Sequence, residues 1–211
     1  MKVLGIDEAG RGPVIGPMII AGTMIEEGKE KMLGEVKDSK LLAHKKRIKL
    51  DIHLRENFEH HIIVVYPKEI DNALNSEDLN LNWLEAHKQA EIINKLNPDV
   101  AIIDCPSINE KAFKDYLKNL LDNKNIKLVV EHKADLNYPI CAAASILAKV
   151  KREKEMDEIK KKYGDCGPGY PANKKTQDFV KENWEKYPEI MRETWSTYKR
   201  YAKQKNQETL F

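Results

Sequence analysis

Val3, Leu4, Gly5 and Ile6 form an apolar run that stops at two carboxylates, Asp7 and Glu8, followed at once by Ala9-Gly10-Arg11-Gly12. A short apolar run bounded by turn residues reads as a buried strand, and the glycines behind it admit backbone too close or too twisted for a side chain. Neighbouring residues on a strand point to opposite faces, so Asp7 and Glu8 serve one site only if the strand ends or bends there. Two carboxylates held together at neutral pH repel each other and call for a cation. The layout recurs along the chain. Residues 100–104 (VAIID) are apolar until Asp104 closes them, and residues 126–130 lead into Glu131-His132-Lys133-Ala134-Asp135.

What lies between these runs sets the fold class. Residues 18–25 (MIIAGTMI) are a second apolar run, the expected antiparallel neighbour of the first, with Gly12, Pro13, Gly16 and Pro17 in the connection. Residues 41–56 have helical spacing, with Ser39 as candidate cap. Lys40 sits at that helix start, where its charge opposes the macrodipole unless an anion binds there. Residues 61–66 (HIIVVY) read as a strand, Pro67 and the Asn- and Asp-rich stretch after it as a connection, and residues 80–96 and 109–121 as helices. Beyond Pro139 the pattern predicts only helices, over 140–163, 174–184 and 190–202, with a polar tail from Lys203. Strands alternating with helices behind a hairpin predict an α/β fold with a mixed sheet, and such folds build their sites at strand ends. The expected division is a sheet-bearing core over 1–145 and a helical region over 146–211.

Charge follows the same division. Residues 1–144 carry 20 basic and 23 acidic side chains, net −3, whereas residues 145–205 carry 16 and 10, net +6. A basic segment is the electrostatic footprint of a nucleic-acid contact. At 211 residues and 41% hydrophobic, the chain can bury a substantial core. No stretch approaches 18 apolar residues and no charged-then-apolar leader opens it, so a soluble, cytoplasmic protein is expected, with a monomer as the default. Cys105, Cys141 and Cys166 stand far apart with no CxxC pair, which argues for reduced structural thiols rather than disulfides or thiolate zinc.

Competing chemistries fail on spacing. Gly10, Gly12 and Gly16 do not make GxGxxG, GK[ST] is missing, and no HExxH or serine-elbow motif is present. Four acids, Asp7, Glu8, Asp104 and Asp135, sit at or just beyond three strand ends. An all-oxygen set suits magnesium or manganese, and a pair of such ions can activate water and stabilise the leaving oxygen of a phosphodiester. Tyr170, between Gly169 and Pro171, is an aromatic on a rigid turn, able to stack on a sugar or base.

The motifs DEAGRG (7–12), DSK (38–40), VAIIDCP (100–106), HKAD (132–135), AAASILAKVKRE (142–153) and GYP (169–171) follow one another in this order. Together they resemble ribonuclease HII, most closely its archaeal members, over nearly the whole chain. The resemblance implies an RNase H-like core with a mixed five-stranded sheet flanked by helices, and a C-terminal helical extension. It also implies a magnesium- or manganese-dependent endonuclease that hydrolyses the RNA strand of RNA/DNA hybrids. Such an enzyme cuts 5′ of ribonucleotides in duplex DNA, leaving 5′-phosphate and 3′-hydroxyl ends, as ribonucleotide excision repair and DNA replication require. Asp7, Glu8, Asp104 and Asp135 match the family's metal-binding catalytic acids. Gly10, Arg11 and Gly12 match the loop that reads the 2′-hydroxyl, with Tyr170 against the same junction; a site that hydrogen-bonds a hydroxyl rejects the deoxy analogue strongly. Lys40 and Lys149 resemble phosphate-contacting lysines. His132 has a supporting role rather than a ligand's.

Cys105-Pro106 stands where many family members have Gly, and Gly167-Pro168 replaces a more usual Gly-Ser. The related HIII class carries an N-terminal substrate-binding domain, for which a first strand at residue 3 leaves no room. Residues 207–211 (QETLF) resemble a shortened sliding-clamp-binding peptide without its second aromatic. The alternatives are a non-cutting adaptor on an RNase H fold, disfavoured by the acid set, and a resolvase-like nuclease, disfavoured by the GRG loop and Tyr170.

Overall fold

A computed structural model describes residues 1–36 and 43–208. In chain order the elements are β1 (Lys2–Ala9), β2 (Met18–Glu26), α1 (His44–Asn57), β3 (His60–Val65), α2 (Pro67–Asn75), α3 (Leu81–Leu96), β4 (Val100–Asp104), α4 (Glu110–Leu120), β5 (Lys127–Glu131), α5 (Ala134–Asn137), α6 (Pro139–Tyr163), α7 (Lys174–Asn183) and α8 (Ser196–Glu208). The chain forms two compact units. One takes Met1–Ala9, Ile19–Ile63 and Asn82–Lys151; the other takes Gly10–Met18, Val64–Leu81 and Arg152–Phe211.

The sheet has five strands in the order β3-β2-β1-β4-β5. β1 pairs antiparallel with β2, and parallel with β4, which in turn pairs parallel with β5. It is therefore the mixed sheet that the alternation predicts. Both faces of β1 are buried, as a central strand flanked by helices requires, and its register shows what covers each face. A Cβ on Gly5 would stand 2.5 Å from the Ile140 carbonyl carbon, so the start of α6 lies directly on the Gly5 face. Gly22, opposite Ile6, would meet Ile92 of α3 at 2.5 Å, which places α3 on the other face. The close approach of α6 also needs small residues on the helix, and Ala142, Ala143 and Ala144 are all buried.

In the second unit, Val14, Ile15, Met156, Cys166, Val180, Ile190, Met191 and Tyr198 form a buried cluster. α7 is capped by Asn173, whose side chain accepts from the Thr176 amide, as α4 is by Asn109. All three cysteines are buried free thiols, as expected. No helix among the described residues is long and apolar enough to cross a membrane.

Several boundaries differ from the sequence expectation, for identifiable reasons. β1 does not end at Ile6 but stays paired through Ala9, with Asp7 opposite Ala21 and Glu8 opposite Ile20. The stretch after Pro67 is helix α2, not a connection: Pro67 occupies the first helical turn, where its missing N–H costs nothing. α1 begins at His44 with Ala43 at its N-cap; the candidate cap Ser39 and Lys40 lie outside the described residues. α8 begins at Ser196 rather than 190, because Pro188–Ile190 is a 3-10 turn and Met191 bridges to Ile15. It runs to Glu208, beyond the expected end at 202.

Candidate active site

Strand register brings the acids together. Gly5 pairs with Ile102 and Ile6 with Ile103 across the parallel β1–β4 ladder, so one step further Asp7 and Asp104 lie side by side on one face. β5 then turns through Lys133, held in the left-handed region at φ 60°. Asp135 follows in the first turn of α5, and the Ala134 amide donates to Asp104 Oδ1 at 3.1 Å. Asp7, Asp104 and Asp135 each present a carboxylate oxygen, all within 4.8 Å of one another.

Asp7 is 6% exposed. Its Oδ1 accepts from the Glu8 amide at 2.8 Å. Burial is the main force on its ionisation and pushes its pKa up to about 7; Asp104 and Asp135 add to the rise, opposed by hydrogen bonds from the Ser145 side chain and the Glu8 amide. Three acids on one face, one of them reluctant to ionise beside the others, are the donor set that a hard divalent cation relieves. The residues present therefore fit such an ion.

Glu8 is not in this trio. Glu8 is the last residue but one of β1, which ends at Ala9. Its charge, with those of Glu110 and Asp104, adds to the burial that raises the Cys105 thiol. His132 is tied to the β4–α4 loop: its amide donates to Glu110 Oε1 at 3.0 Å and Nδ1 stands 3.2 Å from the Cys105 carbonyl oxygen. Lys149 is half-buried on α6, one turn beyond Ser145 on the same helix face.

The glycine loop and Tyr170 belong to the second unit. Gly10 has φ +83°, and a Cβ there would stand 2.4 Å from Arg152 Nε and 2.8 Å from the Pro17 carbonyl oxygen. A Cβ on Gly12 would stand 4.0 Å from Tyr170 Cε1, so loop and tyrosine are neighbours. Tyr170 is 44% exposed. The Arg152 guanidinium lies 5.2 Å from its ring centroid and donates to the Pro168 carbonyl at 3.0 Å. Val14 and Ile15 amides both donate to the Gly169 carbonyl, fastening the tyrosine turn to the segment after the loop.

Sequence reasoning missed Ser145, Arg152 and Arg192, whose side chains contact these groups. The available signals were a serine in an alanine run, an arginine midway along a long helix, and an arginine beside the apolar pair Ile190-Met191.

Comparison with known proteins accords with this geometry. The family model for ribonuclease HII matches residues 4–198. Ribonuclease HII of Methanosphaera stadtmanae is 40% identical over 205 residues, spanning 96% of this chain and 95% of the relative. The crystal structure of ribonuclease H2 from Pyrococcus horikoshii is similar at TM-score 0.86 and 38% identity, covering 97% of this chain and 98% of that one. A structure of the PCNA:RNase HII complex from Archaeoglobus fulgidus matches at TM-score 0.84 and 36% identity, covering 93% of this chain and 96% of that one. Agreement of this extent, in sequence and in fold alike, places the chain in the ribonuclease HII family of endoribonucleases.

Proposed function

We propose that this chain is a divalent-metal-dependent endonuclease that hydrolyses the RNA strand of RNA/DNA hybrids and cuts 5′ of ribonucleotides embedded in duplex DNA. The observation that carries the reading is the meeting of Asp7, Asp104 and Asp135 within 4.8 Å: a protein that only binds nucleic acid has no use for concentrated negative charge where a phosphate must lie. Asp7, Asp104, Asp135 and Glu8 would hold magnesium or manganese, which when bound activates a water and stabilises the leaving oxygen. Hydrolysis in which water adds to phosphorus and the 3′ oxygen departs with a proton would leave a 5′-phosphate and a 3′-hydroxyl. Gly10, Arg11 and Gly12 bind the 2′-hydroxyl through their backbone, and Tyr170 packs on the sugar at the junction. Lys40 and Lys149 contact phosphates, and the basic region 146–211 binds the duplex. The protein works as a cytoplasmic monomer.

Cleavage of a duplex carrying one ribonucleotide, with magnesium, manganese or chelator in parallel, tests the reading. Cutting 5′ of the ribonucleotide with either metal and none in chelator is expected; binding without cutting in every condition would leave an adaptor instead.

A tether to a sliding clamp through Gln207, Glu208, Thr209, Leu210 and Phe211 is part of the proposal, supported by the relative solved with PCNA. Residues 209–211 lie outside the described residues. Deleting 207–211 is expected to abolish capture by immobilised clamp while leaving cleavage of free duplex unchanged. Undiminished capture would remove the tail from the interface.

A further inference from the structure

Gly10, Arg11 and Gly12 form no regular secondary structure, so the loop's backbone polar groups need partners from elsewhere to hold one shape. The segment from Ile190 to Trp195 supplies them. The Gly16 amide donates to the Ile190 carbonyl at 2.9 Å and the Arg192 amide to the Val14 carbonyl at 2.8 Å, on either side of the Ile15–Met191 bridge. The Arg192 side chain then turns back along the loop. It is 0% exposed, and its guanidinium donates to the carbonyl oxygens of Gly10 at 2.6 Å, Arg11 at 2.7 Å and Gly16 at 3.0 and 3.1 Å. Trp195 stacks against this guanidinium, 4.8 Å from ring centroid to guanidinium carbon, and its Nε1 donates to the Gly12 carbonyl at 3.0 Å. Three consecutive carbonyls of the loop are thus engaged by two side chains lying about one helical turn apart in the sequence. The planar fork of arginine suits it to binding several carbonyls at once, which a lysine cannot reproduce.

Asp71 of α2 fixes that segment in turn. Its Oδ2 accepts from the Glu193 amide at 2.8 Å and its Oδ1 from the Thr194 amide at 3.0 Å. Asp71 is itself buried, and a carboxylate accepting two backbone N–H bonds is a strong anchor. A consequence for the loop follows from peptide geometry. Among the described residues no peptide bond is cis, and a trans peptide points its N–H opposite its C=O. With the Gly10 and Arg11 carbonyls on Arg192, the Arg11 and Gly12 amides are turned away from it as hydrogen-bond donors, polarised by the guanidinium charge behind them.

We propose that Asp71, Arg192 and Trp195 are positioning residues that set discrimination between ribose and deoxyribose, by holding the Gly10–Gly12 backbone with its amides presented to the sugar hydroxyl. The proposal rests on the junction-endonuclease reading above.

The test uses the full chain with Trp195→Phe, which removes one hydrogen bond and keeps a ring, Asp71→Asn, and Arg192→Lys. Affinity is measured for a single-ribonucleotide duplex and for the all-DNA duplex of the same sequence, with calcium replacing magnesium; kcat and KM are then measured with magnesium. Trp195→Phe and Asp71→Asn are expected to weaken preference for the ribonucleotide duplex about tenfold, and Arg192→Lys about a hundredfold. Affinity for the all-DNA duplex stays within about twofold. Unchanged preference in Trp195→Phe and Asp71→Asn, both folded, overturns the proposal, as does equal weakening on both duplexes, which a merely structural role would give. Should Arg192→Lys fail to fold, the other two variants decide. A parent protein that cuts no ribonucleotide duplex instead overturns the functional reading underneath.

Discussion

Asp7→Asn is expected to reduce cleavage of a ribonucleotide-bearing duplex by about a thousandfold or more, the scale on which removing an essential charged group acts, while binding of the duplex persists. The same substitution should make the metal-free protein more stable at alkaline pH. The fold raises the pKa of Asp7 from the ordinary aspartate value of 3.8 to about 7, chiefly by burial. Below pH 4 both folded and unfolded chains carry the proton and the fold bears no cost. Between about pH 4 and 7 the unfolded chain releases a proton that the folded chain retains, so stability falls as pH rises. Above 7 the cost is complete and amounts to a few kcal/mol, at about 1.4 kcal/mol per pH unit. Asparagine keeps an acceptor for the Glu8 amide and bears no charge. In chelator, the variant's melting temperature should therefore exceed the parent's at pH 8, with the difference closing towards pH 4. Magnesium should reverse the order at pH 8, because an ion that binds only the folded state stabilises it by mass action and the variant has lost a ligand. A variant that cuts at the parent's rate would take Asp7 out of the metal site; one no more stable than the parent in chelator at pH 8 would mean that burial does not penalise its charge.

How much of this site could be read from sequence depends on whether the signal is local. Asp7 and Asp104 close apolar runs, and the parallel register that sets them side by side follows from those runs being adjacent buried strands. Glu8 shows where local reading stops. The sequence poses the question of whether the strand bends after Asp7, but the answer lies in β2, whose residues Ala21, Ile20 and Ile19 keep β1 paired to Ala9. α2 was hidden because Pro67 signals both a strand's end and a helix's start; the buried Ile70 and Ala73 that decide the matter belong to a pattern too short to stand out. Asp71 and Trp195 had no local signal at all, and Arg192 had only its place beside the apolar pair Ile190-Met191. Arg192 meets its carbonyls 176 to 182 residues away along the chain, and a residue whose partners are backbone atoms leaves no complementary side chain to find.

The two glycines of the loop separate shape from recognition, and Gly10→Ala and Gly12→Ala should fail in different ways. At Gly10 the backbone has φ +83°, a region costly for a residue with a Cβ, and the added carbon would meet Arg152 Nε at 2.4 Å and the Pro17 carbonyl oxygen at 2.8 Å. The arginine is a flexible side chain, but the carbonyl is backbone and cannot step aside. Strain of this kind costs on the order of 1 to 3 kcal/mol, so Gly10→Ala should lower the melting temperature in addition to cutting ribonucleotide cleavage by about a hundredfold or more. Gly12 carries no such constraint: its nearest neighbour would be Tyr170 Cε1 at 4.0 Å, an ordinary contact. Gly12→Ala should therefore melt within about 0.5 kcal/mol of the parent. If the loop approaches the sugar as closely as the proposed function requires, the methyl group occupies the ligand's space, and affinity for the ribonucleotide duplex falls although the free protein is undisturbed. Calcium-supported binding and thermal melting of the two variants resolve the cases. A Gly12→Ala protein that binds and cuts like the parent would show that the sugar does not reach the loop at that point, and would confine recognition to Gly10, Arg11 and the ring of Tyr170.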